Sequence, residues 1–341
     1  MNGFENKENL TILAIESSCD ETACAILKDG VILGECISTQ IALHREYGGV
    51  VPEIASRNHV LDVGRVVDKA VKDSGINLSD VDVIAVTKGA GLLGSLLVGV
   101  SYAKGLAYSL GKPLIGVNHI RGHVAANYLA HPDLPLPYVG LIVSGGHTAL
   151  AVVESKTKFH IVGSTADDAA GEAFDKVARV LGLPYPGGPE IEKLAASGSP
   201  SVPMPKVKMK NPYDFSYSGL KTAVINYVHN AEQKGEVINK ADVACSFQNA
   251  AVDMLVDNAI ALANERGIKA IAVAGGVAAN GKLREVMQEK ASRNSIQSYF
   301  PPKKLCTDNA QMIASEAYVQ LRAGAELSPY TLDAKATLPF E

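Results

Sequence analysis

What the 341-residue sequence holds little of already removes several classes of protein. Only five cysteines occur (Cys19, Cys24, Cys36, Cys245 and Cys306), an odd number without a CxxC pair. Such a set fits free thiols in a reducing compartment and argues against a disulfide framework or a structural zinc knuckle. Long apolar runs are missing too. The longest uncharged one, between Lys88 and Lys104, is interrupted by Gly89, Gly91, Gly94 and Gly99. As a helix it would cover roughly 22 Å, short of a hydrocarbon core of about 30 Å, so no membrane association is expected. The first nine residues are polar, with no basic segment followed by an apolar one. No signal peptide is therefore expected, and the predicted location is the cytoplasm. Positive charge is not in excess: 32 Lys and Arg stand against 36 Asp and Glu, a formal net charge of −4. Non-specific nucleic-acid binding needs a basic surplus, so any RNA contact must come from a local patch or a partner subunit.

What is present is ordinary globular material, 47% hydrophobic and 20% charged, which excludes disordered, coiled-coil and collagen-like chains. At about 150 residues per domain the length suggests two domains. LTILAIE (10–16), VDVIAVT (81–87), PLIGVNH (113–119), YVGLIVS (138–144) and IKAIAVAGG (268–276) read as strands covered on both faces. Helical patterns lie between them at Asn58–Asp73, Ser95–Leu110 and Cys245–Arg266. In the last, Ala251, Leu255, Ala259 and Leu262 form one buried stripe. The predicted class is α/β.

A weak internal repeat divides the chain. TILAIESSCDETACAILKDGVILG (11–34) and VGLIVSGGHTALAVVESKTKFHIV (139–162) share one order: strand, small-residue turn, strand, turn, strand. Two copies of one α/β unit predict two similar lobes with a cleft between them. The linker falls in HPDLPLP (131–137), where proline favours extended chain. A second irregular stretch, roughly Gly182–Tyr217, is rich in Pro, Gly and Ser and is expected to be a long functional or mobile loop.

His119 and His123 in NHIRGHV lead the residues able to carry chemistry. If the chain turns helical there, positions i and i+4 share a face and both imidazoles can reach one metal ion. Two ordinary histidines at a helix start fit equally well. The zinc-protease version of this spacing requires a glutamate directly after the first histidine, and Ile120 stands there instead. Asp308, in CTDNAQMIASEAYVQL, either helps cap the helix that follows or supplies a third, carboxylate ligand. Glycine turns occur at SGG (144–146), PGG (186–188) and AGG (274–276). They let backbone N–H groups approach phosphate oxygens, although neither a P-loop nor a GxGxxG fingerprint is present. Three such turns together favour a nucleotide. Glu16 and Asp20 in ESSCDET, and Asp175 in DDAAGEAFDK, are carboxylates for a metal, a water, a ribose or a proton, or else simple caps and solvated turn residues. The lysines of KVKMK (206–210) make either a solvated loop or a track for RNA phosphates.

Taken together, AIESSCDETACAI, GGVVPEIASRNH, NHIRGH, LIVSGGHT, DDAAGEAFDK, LPYPGGP, FSYSGLKTA, AVAGGVAAN and TDNAQMIA occur in the order seen in one family. From about Ile12 to Leu321 the chain resembles the TsaD (Gcp, Kae/Qri) family of tRNA N6-adenosine threonylcarbamoyltransferases, once described as O-sialoglycoprotein endopeptidases. The resemblance implies the actin/Hsp70/sugar-kinase fold: two ribonuclease H-like lobes, 1–134 and 135–307, with 308–341 completing the first and a nucleotide cleft between them. It implies a metal, iron or else zinc, on His119, His123 and Asp308. It implies substrate contacts at Ile142, Val143, Ser144, Gly145, Gly146, Asp175, Gly188, Glu192 and Asn280, with Glu16 a candidate for proton handling or water positioning.

The activity so implied is transfer of a threonylcarbamoyl group from threonylcarbamoyl-AMP to N6 of adenosine 37 in tRNAs reading codons that begin with A, releasing AMP. The implied partners are tRNA, a TsaB-like paralogue and a TsaE-like ATPase, with a TsaC-like enzyme supplying the adenylate. The competing expectations are a small-molecule kinase of the same fold, which has no use for the His119–His123–Asp308 set, and a nucleotide-dependent scaffold without enzymatic activity. A metalloprotease lacks its glutamate.

Overall fold

Strands that are apolar along both faces must be covered on both sides, and the computed structural model, which describes residues 2–340, builds two five-stranded sheets from them. Before residue 134 the elements are β1 (Thr11–Glu16), β2 (Glu21–Lys28), β3 (Val31–Thr39), α1 (Ile41–Arg45), α2 (Pro52–Ser74), β4 (Val83–Gly89), α3 (Leu93–Leu110), β5 (Leu114–Asn118) and α4 (His119–Ala130). There follow β6 (Tyr138–Val143), β7 (Thr148–Ser155), β8 (Lys158–Ser164), α5 (Ala170–Val180), α6 (Gly187–Ala195), α7 (Ser218–Lys234), α8 (Lys240–Arg266), β9 (Ala270–Ala274), α9 (Gly281–Arg293), β10 (Gln297–Tyr299) and α10 (Ala310–Arg322). The chain divides into two compact units: residues up to 133 together with those from 307 onward, and Leu134–Cys306.

Each unit carries the same sheet. The order is β3-β2-β1-β4-β5 in the first and β8-β7-β6-β9-β10 in the second. In both, an antiparallel three-stranded meander continues into two parallel strands. This is the ribonuclease H-like arrangement, present twice, and the repeat at 11–34 and 139–162 is its pair of meanders.

In the first unit, Leu13, Ile15, Cys24 and Ile26 pack with Val66 and Val67 of α2 and Val100 of α3. Ala23 and Ala25 face the other way, onto Ala310 of α10. Successive side chains of a strand point to opposite faces, so Glu16, next to Ile15, lies on the α10 side. That side holds the histidines described below. The second unit has one continuous core in which Val139, Leu141 and Val143 of β6 meet Phe174 of α5 and Phe247 of α8.

Two helices start earlier than their apolar stripes suggest. Pro52 opens α2, a position where its missing N–H costs nothing, and Asn239 caps α8 by accepting from Ala241 N. The Gly182–Tyr217 stretch is a loop only in part, because α6 occupies residues 187–195. Its two leading glycines hide it from a composition reading, yet Ile191 and Ala195 are spaced for one buried helical face. Gly187 is glycine because a Cβ there would lie 2.5 Å from Ala178 Cβ and 2.7 Å from Asp175 Cα. Among the described residues no helix is long and apolar enough to cross a membrane.

Candidate metal centre

The chain turns helical at the first histidine. Asn118 ends β5 and caps α4, its Oδ1 accepting from Ile120 N at 2.9 Å and Arg121 N at 3.4 Å. His119 thus starts the helix, and His123, one turn on, shares its face. The two rings meet edge to face with centroids 4.6 Å apart. Asp308 precedes α10, and the cap of that helix is not Asp308. Asn309 takes the role, accepting from Met312 N at 3.0 Å, which leaves the Asp308 carboxylate available to the imidazoles. Its Oδ1 lies 3.4 Å from His119 Nε2 and 3.2 Å from His123 Nε2.

Behind His119 stands Glu16, completely buried. Its Oε2 accepts from Thr87 Oγ1 at 2.6 Å and lies 3.1 Å from His119 Nδ1, while Oε1 accepts from Ser18 N. Ser18 Oγ is also 3.0 Å from His119 Nδ1. A carboxylate at Nδ1 favours the proton there and leaves the Nε2 lone pair facing Asp308 and His123. Both oxygens of Glu16 are therefore spent on the protein, and what the residue touches is the imidazole.

The electrostatics match a cation. Burial opposes charge on His119, yet Asp308 and Glu16 hold its imidazole well above the ordinary histidine value. Burial would also raise Asp308 and Glu16, but His119, helped at Asp308 by His123, pulls both below the usual carboxylate range. His123 is lowered, chiefly by burial. Burial, with the negative charge of Asp308 and Asp20, pushes Glu21 up to about 10.

One ligand atom from each of His119, His123 and Asp308 can be chosen so that all lie within 4.8 Å of one another. Two ligands each about 2.1 Å from one tetrahedral ion would be about 3.4 Å apart, close to the two Nε2–Oδ1 separations. Neither ring nitrogen of His123 makes an aligned hydrogen bond. A buried polar atom left so is costly, and a divalent ion beside Asp308 would satisfy Nε2. The donor set of two nitrogens and one oxygen suits iron or zinc.

Asp20 is buried in the first unit, and the residues named above as substrate contacts lie in the second. Ile142 and Val143 are fully buried in β6 and set the position of the turn that follows. In that turn Ser144 N donates to His147 O at 2.8 Å, and His147 N donates to Ser144 Oγ at 3.1 Å. Gly145 and Gly146 are exposed, with open space where a Cβ would sit. The start of α5 closes on this turn: Gly171 N donates to Ser144 O at 3.1 Å, and a Cβ on Gly171 would come 2.8 Å from Ser144 O. Asp175 accepts from Gly187 N at 2.7 Å, fastening α5 to the start of α6, where Gly188 also borders open space. Glu192 accepts from Gly281 N at 3.0 Å, and Asn280 caps α9 through Leu283 N while donating to Gln248 Oε1 at 3.0 Å. Gly275, at φ +94°, passes so near β6 that a Cβ would lie 2.4 Å from Val143 O. The SGG turn meets the start of α5, and the bodies of α5 and α6 hold the starts of α6 and α9 by direct contacts, giving helix N-termini and bare turns of the kind suited to an anionic ligand.

Sequence reasoning missed Ser18, Thr87 and His59. His59 of α2 is buried, with Nδ1 2.7 Å from Thr22 Oγ1 and Nε2 2.9 Å from Cys19 O, so it braces the turn that carries Ser18. Its presence in the GGVVPEIASRNH motif was the available signal.

A model of the family described as tRNA N6-adenosine threonylcarbamoyltransferase, TsaD, matches residues 31–315. A protein of that description from Moorella thermoacetica is 56% identical over 333 residues, covering 96% of this chain and 97% of its own length. One from Clostridium perfringens is 54% identical over 330 residues, with coverages of 96% and 97%. Among solved structures, full-length HypF in its phosphate- and nucleotide-bound form superposes with a TM-score of 0.62 at 17% identity, over 93% of this chain and 47% of HypF. Component A of the Acidaminococcus fermentans (R)-2-hydroxyglutaryl-CoA dehydratase gives 0.52 at 17% identity, over 92% and 99%. At such identities these two likenesses speak to the fold alone.

Proposed function

The chain belongs to the tRNA N6-adenosine threonylcarbamoyltransferase family, and from that footing we propose that it transfers a threonylcarbamoyl group from threonylcarbamoyl-AMP to N6 of adenosine 37 in tRNAs reading codons that begin with A. The observation that carries this is the 56% identity over 96% of the chain to an enzyme of that description. In the reaction, N6 attacks the carbamoyl carbon and the bond from that carbon to the phosphate oxygen breaks. AMP leaves with the electron pair, and the N6 proton passes to solvent.

His119, His123 and Asp308 hold one divalent ion in this reading, Fe(II) in the cell with Zn(II) as the alternative. Bound there, the ion would supply Lewis acidity to an oxygen of the substrate. Glu16, Ser18 and Thr87 keep the His119 ring turned so that Nε2 is the ligand atom. In the second unit, the Gly145–Gly146 backbone and the starts of α5, α6 and α9 receive the AMP phosphate, with Asp175, Gly188, Glu192 and Asn280 around the nucleotide. The chain works in the cytoplasm with a TsaB-like paralogue and a TsaE-like ATPase, on an adenylate made by a TsaC-like enzyme. A small-molecule kinase would leave the two histidines and Asp308 without a task.

The test is mass spectrometry of tRNA nucleosides after depletion of the protein, paired with reconstitution from purified components. Loss of threonylcarbamoyladenosine on depletion and its return with the intact chain are expected. Unchanged nucleosides, with ATP consumed on sugars or acetate instead, would replace this reading by the kinase.

A further inference from the structure

Between Glu192 and Asp214 the sequence has no acidic residue and four lysines, Lys193, Lys206, Lys208 and Lys210. In a chain of net charge −4 this is a marked local surplus. The last three lie in the irregular segment that follows α6, and their exposure alternates. Lys206, Lys208 and Lys210 are exposed, whereas Val207 and Met209 between them are half-buried. A period of two is what extended backbone imposes, with like-facing residues about 6.6 Å apart. All three ammonium groups therefore stand on one side of a strap, at a spacing on the scale of successive phosphates along an RNA strand.

The strap is tied down at both ends. Upstream, Ser199 N donates to Asp242 Oδ1 at 2.8 Å and Val202 N to Ser246 Oγ at 3.0 Å, both on α8. Downstream, Asn211 Nδ2 donates to Val162 O at 2.9 Å and Phe215 N to Ser164 O at 3.1 Å, both on β8. Elsewhere in this unit Lys176, Lys221, Lys282 and Lys290 are matched to carboxylates. Among the described residues Lys206, Lys208 and Lys210 have no such partner, and the acid nearest in sequence, Asp214, accepts instead from Ser164 N and Asn211 Nδ2.

We propose that Lys206–Lys210 is a contact surface for the phosphate backbone of the tRNA substrate; this rests on the transferase reading given above. Lysine is a point charge on a flexible stem, which suits phosphates and positions RNA without reading bases. The strap half-buries Met204, Val207 and Met209 and exposes no aromatic side chain or large aliphatic one of the kind that anchors a protein interface. Counterion release supplies the driving force, so an acidic chain can hold a polyanion locally without a global basic surplus.

The test uses the full chain and a Lys206→Gln/Lys208→Gln/Lys210→Gln variant, with binding of unmodified tRNA followed by fluorescence anisotropy over a salt series. Removal of three phosphate contacts should lower the slope of log K against log salt by about 2 to 3. In transfer assays the loss should fall on KM for tRNA and not on KM for the threonylcarbamoyl donor. A Lys→Arg triple variant should keep the parental slope. A Gln variant that binds tRNA with the parental slope overturns the assignment, as does one that keeps tRNA but loses an acidic partner protein. Lysine-dependent tRNA binding without any transfer, in an assay that contains the partner proteins and the adenylate, would instead sink the transferase reading and leave the strap standing.

Discussion

Arg121 and Glu316 join the two helices beside the candidate metal-binding side chains: Arg121 Nε donates to Glu316 Oε1 across 2.8 Å, from α4 to α10. Glu316 is fully buried and also accepts from Gln320 Nε2 at 2.8 Å. Gly122, beside Arg121, lets the helices approach, since a Cβ there would lie 2.8 Å from Ile313 Cδ1. His119 and His123 ride on one of these helices and Asp308 leads into the other, so a change at this contact is expected to alter the spacing of the three candidate ligands. Replacing Glu316 with Ala leaves a largely buried guanidinium with a lost partner and should cost about 3 kcal/mol in urea unfolding. Divalent-ion titration should show weaker binding as well. Stability and ion affinity both at the parental level would mean the pair is idle.

Replacing His119 with Ala, or Asp308 with Asn, should remove ion binding and transfer together. Elemental analysis of the purified variants and nucleoside mass spectrometry give the two readouts. Transfer by ion-free H119A protein would dispose of any role for the ion.

Glu16→Gln keeps the shape beside His119 but weakens its hold on the ring proton. Loss of such a supporting carboxylate typically costs 10- to 100-fold in metal affinity, and a competition titration with a coloured chelator would measure it. A Gln variant with parental affinity would show that Thr87 and Ser18 suffice.

Stability should fall as pH drops through about 6.5, on account of His59. Burial holds its imidazole below the ordinary value, despite the hydrogen bond to Cys19 O and the neighbouring acids. The unfolded chain, with histidine near 6.5, therefore binds the proton that the folded chain refuses, and acid favours unfolding. Above that pH the contribution is constant. His59→Gln should flatten this part of the urea-midpoint profile. An unchanged slope would assign it to another group.

Gly275→Ala should destabilise the second unit by about 2 kcal/mol or more, because it combines a positive φ with a Cβ only 2.4 Å from Val143 O. Relief requires the end of β6 to move, so the donor KM should rise along with the loss in thermal midpoint. An Ala variant with parental midpoint would show that the turn adjusts freely.

The meanders and parallel strands were legible because a strand buried on both faces must be apolar at nearly every position, as Ile12–Ile15 and Val139–Val143 are. α6 was hidden because Gly187 and Gly188 satisfy close packing and open space, which composition cannot tell from a loop. Thr307, Asp308 and Asn309 are all good capping residues, so the sequence could not say which of them caps α10. The fold awards the cap to Asn309. Thr87 reaches Glu16 only after β1 and β4 have paired in parallel, a relationship that no local pattern records.

The first unit is discontinuous, and its third ligand arrives from the far end of the chain. The second unit, Leu134–Cys306, is by contrast contiguous, and its synthesis is complete before residue 307 is added. Both histidines are by then long since made and still lack their carboxylate. A chain truncated before residue 308 thus carries both imidazoles without the carboxylate, and the three-residue set cannot form in it.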